Sequence, residues 1–263
     1  MDRRNIRGTF YLIGSRLTEK DGWKSAIASG QEIGNHSLDH RHAQDLTPQE
    51  AIDQVNLNKK KLEDTFSVSI PTFAYPFTEI TPQLRQAAQN AHFLSRGGYG
   101  PFYMAPSQEP DWQYLASQVI YTHTSSGILK GWTDLNVYHQ TWSIPQFHAF
   151  EGSGRGWQPL PPNTFTDFLD DLVVRKKEIW IAPIGEVGSY WMAQMIVQKA
   201  ELTLSEGKMI YKWKRNTLLP KGILLKAIFA EHRAYQAGKE LSTGTDGNYV
   251  IDFDHEGLTL IPH

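Results

Sequence analysis

The strongest constraint on this chain is an alternation of two patterns along its first hundred residues. Arg7 to Ile13 reads as a buried strand, a Thr, Phe, Tyr, Leu and Ile run bounded by Gly8 and Gly14. Thr18 to Ala28 then has helical spacing, with Trp23 and Ile27 on one face and Gly30 as its stop. Ile33 belongs to a second short strand. Thr47-Pro48-Gln49-Glu50 is a capping box with proline at the first helical position, and Ile52, Val55, Leu62 and Phe66 extend it as a core-facing stripe. Pro71 to Tyr75 is the next strand, Thr81-Pro82 opens another helix through Leu84, Ala87, Ala88 and Ala91, and Phe93-Leu94-Ser95 returns to the sheet. Strands separated by helices pair in parallel through right-handed crossovers, so an α/β barrel or a doubly wound sheet is predicted.

The alternation then loosens. Residues 97–110 are rich in Gly, Pro and aromatics without period, which predicts a long loop over the site face. Gln118 to Thr122 and Gln146 to Phe150 are strand candidates, Thr164-Phe165-Thr166-Asp167 caps a helix, and Ile179 to Ile184 is a last buried strand. Beyond residue 191 the reading is strand after strand, beginning with Ile196 to Leu204 and punctuated by Gly207, Gly222, Gly238, Gly247 and Gly257. The predicted organisation is an α/β unit over 1–191 and a small β-sandwich over 192–263. Its aromatics, Tyr211, Trp213, Phe229, Tyr235, Tyr249 and Phe253, suit either carbohydrate or a core.

Composition removes several functions. Lys+Arg 26 against Asp+Glu 28 leaves a net charge of -2, so no basic field points to nucleic acid. No apolar run is long enough to span a bilayer, and Met1-Asp2-Arg3-Arg4-Asn5 lacks the apolar core of a signal peptide. With Cys 0 there are no disulfides, no thiolate ligands and no cysteine nucleophile, so any metal must sit on histidine and carboxylate.

Glu32-Ile33-Gly34-Asn35-His36-Ser37-Leu38-Asp39-His40 is where chemistry most plainly gathers. If Asn35 or Ser37 caps a helical turn, His36 and His40 lie one above the other and both imidazoles reach one ion. The plainer alternative is a helix start with one capping and one surface histidine.

Three blocks in order decide how the stretch is read: Gly8-Thr9-Phe10-Tyr11-Leu12-Ile13-Gly14, then Gln31 to His40, then Phe73-Ala74-Tyr75-Pro76-Phe77. Together they resemble the polysaccharide deacetylases of carbohydrate esterase family four. Gln146-Phe147-His148-Ala149-Phe150, Gly156-Trp157-Gln158-Pro159-Leu160 and Ile179 to Val187 are similar to late blocks of bacterial members.

The resemblance implies a distorted (β/α) barrel and hydrolysis of acetyl groups from a polysaccharide or oligosaccharide at a divalent ion, most often zinc. By that likeness His36 and His40 are metal ligands, and Phe77 supplies a backbone N–H to the oxyanion hole. Tyr75, Pro76 and Trp157 line the sugar groove. His148 corresponds to the general acid, and Asp111 falls where a residue orienting it is often found. Arg96 sits where a charged groove residue is possible, but surface solvation is the reading preferred. A secreted, periplasmic or cell-envelope parent is also implied.

One departure cuts across these expectations. The family's first strand carries an Asp-Asp pair that supplies the general base and the third ligand, and no such block precedes Gly8. Asp170-Asp171 lies in an amphipathic helix, and Asp2 is in the wrong context. Two readings follow: a truncated deacetylase with impaired activity, or a glycan-binding pseudoenzyme.

Overall fold

The computed structural model describes residues 1–99, 104–105, 108–154 and 156–263. The chain forms two compact units, Met1–Gly185 and Glu186–His263.

In the first unit the predicted alternation is realised. The strands β1 (Thr9–Leu12), β2 (Glu32–Asn35), β3 (Thr72–Ala74) and β4 (Leu94–Gly98) are separated by helices α1 (Lys20–Ala28), α2 (Pro48–Phe66) and α3 (Pro82–Ala91). All neighbours in the order β1-β2-β3-β4 pair in parallel. The helix starts are those the sequence specifies. Thr47 and Glu50 exchange side-chain-to-backbone hydrogen bonds in a complete capping box, and Thr81 accepts from the Leu84 N–H.

The five-stranded sheet ends in β5 (Leu115–Ala116), parallel to β4, and β6 (Gln118–Val119) pairs in parallel with β7 (Pro145–Gln146) in a separate two-stranded sheet. After β7 the chain pairs again, β8 (Ala149–Phe150) with β9 (Pro159–Leu160). Parallel strands with helices on the outside are the barrel-type architecture predicted, and the apolar filling lies between sheet and helices. Leu12, Ile33, Leu62, Phe66 and Ile70 form one cluster; Val55, Phe73, Tyr75, Leu84 and Ala88 form another.

Several boundaries differ from expectation. Helix α4 (Ser126–His139) lies where no element is predicted, although Ser125 caps it by accepting from Ile128 N–H. Helix α5 (Pro162–Val174) starts one turn before the predicted Thr164 cap, because Pro162 at its first position sets the helical φ without any side-chain cap. The expected strand at 179–184 is absent: it meets no strand partner among the described residues, and apolar character alone makes no ladder. Helix α6 (Ile184–Gln198) begins there instead and occupies the first part of the run predicted as strand 196–204. The expected loop 97–110 falls partly outside the described residues.

The second unit is all-β after α6. The strands β10 (Glu201–Ser205), β11 (Lys208–Lys212), β12 (Leu224–Ala227), β13 (His232–Gln236), β14 (Lys239–Glu240), β15 (Tyr249–Asp252) and β16 (Gly257–Pro262) follow in sequence. They form an antiparallel sheet in the order β10-β11-β16-β13-β14 and a second, two-stranded sheet of β12 and β15. Trp213, Tyr249 and Phe253 are buried, with the Trp213 indole N–H donating to Phe253 O at 2.9 Å, so these three aromatics are core.

Candidate functional site

Both histidines of the central block leave the carboxyl end of β2 on a loop, not on a helix. Asn35 Oδ1 accepts from Ser37 N–H at 3.0 Å, and Ser37 Oγ accepts from His40 N–H at 2.9 Å. These two local bonds supply the acceptors that helical carbonyls otherwise would, and they bend the chain. Ser37 and His40 consequently sit at φ 65° and 62°, in the left-handed region.

Amides from α2 fix the loop from behind. Asn58 Nδ2 donates to Leu12 O and to Asn35 Oδ1, Asn35 Nδ2 donates to Val55 O, and Gln54 Oε1 accepts from both Leu38 and Asp39 N–H. Gln54 and Asn58 are four apart on the buried face of α2, a signal visible in the sequence but unread there. Gly14 is required at the same place, since a Cβ would strike the Asn58 amide, and a Cβ on Gly34 would strike the Tyr11 ring.

The expected convergence is nevertheless reached. The His36 and His40 ring centroids lie 4.7 Å apart at an interplanar angle of 82°. His36 Nδ1 lies 2.9 Å from Ala74 O; a carbonyl only accepts, so Nδ1 carries the proton and Nε2 keeps its lone pair.

At the end of β3 the three predicted residues separate in role. Tyr75 is 1% exposed and packs with Phe73 and Tyr114, and Pro76 is also buried, so neither is a groove-lining side chain. Phe77 is 46% exposed; its ring meets His40 edge-on at 4.5 Å and stacks on His42 at 3.9 Å. Its backbone is left-handed, φ 55° and ψ 13°. The turn around it uses the N–H groups of Thr78 and Glu79, which donate to Tyr75 O and Pro76 O, and not that of Phe77.

His148 comes from the segment between two separate short strand pairs. It stands between β7 and β8, its ring edge-on to Trp157 at 4.8 Å, and Trp157 is 52% exposed. The partner that orients His148 is Gln146, whose Nε2 lies 3.0 Å from His148 Nε2 and whose Oε1 accepts from Ser117 Oγ. Asp111 is not that partner. Its carboxylate takes both ends of the Arg85 guanidinium at 2.7 and 2.9 Å and accepts from Gln113 N–H, so the arginine holds its pKa below the usual carboxylate range.

Arg96 is the largest correction. It is 6% exposed, not solvated, and its guanidinium stands 5.0 Å from the Tyr11 ring centroid. It pairs in register with Ala74, whose carbonyl meets His36, and its charge acts on His36, His40 and His148. Burial first, then this charge, holds His36 well below the ordinary imidazole value. His40 is lowered by burial, then by Arg16 and, more weakly, by His42 and Arg96. Partial burial, then Arg96 and His40, hold His148 at about 4, although its rim is open to solvent. All three imidazoles are therefore neutral at pH 7.

Neutral imidazoles suit a divalent ion, and His36 offers a free Nε2. Yet among the described residues no group of three His, Asp or Glu side chains is placed to hold a metal ion, and a fixed guanidinium charge lies near the pair. The donors present do not complete a metal site by themselves. Asp170 is bound to Arg4 and Asp171 lies near Lys130, so neither substitutes for a third ligand.

The chain is similar to several known proteins. A family model of the polysaccharide deacetylases matches residues 1–94. Chitin deacetylase 1 of Cryptococcus neoformans is 29% identical over 89 residues, 34% of this chain and 19% of that protein. A gellan lyase from Bacillus sp is 22% identical over 200 residues, 69% of this chain and 8% of that protein. The chain thus matches only a small part of either relative's length. Among solved structures, a family 4 acetyl xylan esterase from Clostridium thermocellum, in complex with a cobalt ion, superposes with a TM-score of 0.49 and 15% identity over 73% of this chain and 81% of that one.

Proposed function

We propose, from the premise that residues 1–94 belong to the polysaccharide deacetylase family, that the recess around His36, His40 and His148 is the acyl-transfer site of a carbohydrate deacetylase acting on an acetylated polysaccharide or oligosaccharide. The observation that carries this reading is the close pair of His36 and His40 at the end of β2, with His148 and the buried Arg96 near enough for their charges to act on it.

Removing an acetyl group requires an activated water, stabilisation of a tetrahedral oxyanion, and a proton for the departing amine or alcohol. Phe77 supplies the N–H aimed at the oxyanion. Its ring, with that of Trp157, gives exposed aromatic faces on which a pyranose stacks. His148 moves the proton. Held at about 4, it is unprotonated in the free chain and first accepts; a negative charge nearby offsets Arg96 and lifts it toward the donor form. A divalent ion, zinc by preference, would supply the activation of water when bound, and His36 and His40 are the two residues that would hold it. An acetylated glycan substrate makes an exported, periplasmic or cell-envelope parent the fitting setting.

A second reading is favoured by the donor set: with no carboxylate at the histidines among the described residues, the chain binds glycan without cleaving it. Incubation with N-acetylated chitin oligomers and with acetylated xylan, in zinc-supplemented buffer, separates the two. Acetate release abolished by His36→Ala supports the hydrolase, and release unchanged by that substitution rejects it. Glycan binding without acetate release supports the second reading.

A further inference from the structure

We propose that the recess beneath His36, His40 and His148 is an anion site built around Arg96, and that the sugar it accepts carries a carboxylate, a hexuronate. The inference names the substrate class of the site already described and rests on that recess being functional, but not on hydrolysis occurring there.

Arg96 lies in β4, in register with Ala74 on β3 and Leu115 on β5, and is 6% exposed. No hydrogen bond or ion pair to its guanidinium exists among the described residues; its one named neighbour is the face of Tyr11. Burying an unpaired charge is costly, and arginine does not escape by losing its proton. The half-buried Lys59 and Glu32 of this unit, by contrast, have partners. Lys59 donates to Ala91 O, and the nearby Glu32 carboxylate is taken by the Thr9 and Thr72 hydroxyls and Gly185 N–H.

Arg96 and Arg16 act on the imidazoles as positive charges, while Glu32, Glu79 and Asp111 are each taken up by other donors and Asp39, beside His40, is exposed. A ligand satisfying this site brings an acceptor group of charge about -1 that is planar, to match the guanidinium fork. The rim specifies the remainder of the ligand: Trp157 and Phe77 are both exposed and border the histidines, an arrangement for a sugar ring rather than for a bare ion.

The test is calorimetric titration of the whole chain with D-glucuronate, D-glucose, acetate and inorganic phosphate. We expect glucuronate to bind at least tenfold tighter than glucose or acetate, to weaken as sodium chloride rises, and to lose at least tenfold in Arg96→Met. Arg96→Lys, which keeps charge but not the fork, should fall between. A readout needing no variant is the imidazole C–H resonances of the wild-type chain, where glucuronate should shift His36, His40 and His148 and leave His232 and His263 in place. Equal binding of glucose and glucuronate, no glucuronate binding, or an unaffected Arg96→Met overturns the proposal. Phosphate binding as tightly as glucuronate overturns the sugar class. Absence of acetate release bears on the hydrolase reading alone.

Discussion

Arg85 on α3 and Arg96 on β4 belong to one helix-to-strand step of the same fold, and they are treated in opposite ways. Arg85 lies at the surface and is closed by a two-point bond to Asp111, a pair whose charges solvent screens. Arg96 is 6% exposed over the face of Tyr11, with no ion pair among the described residues. The first arrangement holds a loop to a helix; the second leaves a strong, directional donor waiting at the mouth of a parallel sheet. The difference locates function better than either residue type does, because a fold retains an uncompensated buried charge only where something other than stability is served.

The largest effect expected comes from loosening the frame that confines Arg96 while leaving the Arg85 pair alone. Asn58→Ala removes two buried bonds and leaves a gap behind the loop; Asn35 Oδ1 and Leu12 O keep only the Ser37 and His36 N–H donors, and the change should cost about 3 kcal/mol in urea unfolding. A loss under about 1 kcal/mol would mean that the histidine loop does not depend on α2.

Next, Arg96→Met should stabilise the free chain, by about 2 kcal/mol, since it removes a buried charge and keeps the volume. Destabilisation of that size would show that Arg96 has a structural partner and would break the comparison.

A pH series extends the contrast to histidine. His92 is 1% exposed and burial lowers it to about 3, against an unfolded value of about 6.5. Because the folded pKa is the lower one, the unfolded chain binds the extra proton. This contribution is whole above pH 6.5 and falls away toward pH 3, by up to about 1.4 kcal/mol per unit. His92→Gln should flatten that slope by one proton in denaturation curves; an unchanged slope would refute the assignment.

The smallest effect belongs to Arg85→Met, which should shift stability by less than about 1 kcal/mol and leave glycan binding as it was. A change in glycan affinity would put Asp111 back into the site.

The second unit offers no such asymmetry. Its aromatics are divided between core and surface, and the alternation seen in its strands is what an antiparallel sheet with one wet face requires.

The sequence alone determined what is encoded locally. Capping boxes, strand runs and their alternation fixed a parallel α/β unit, because each is decided within a few residues, and the H-x-x-x-H block marked the loop on which His36 and His40 stand close together. Tertiary structure decided what depends on contacts between distant residues. The pairing of His36 and His40 arises from a side-chain-braced loop and not from a helical turn. The sequence does not reveal whether 179–184 has a strand beside it, nor that Tyr75 faces the core while Phe77 faces solvent. Arg96 shows the limit most sharply: a charged residue reads as surface until the sheet around it is built, since burial is a property of neighbours far along the chain and not of the residue itself.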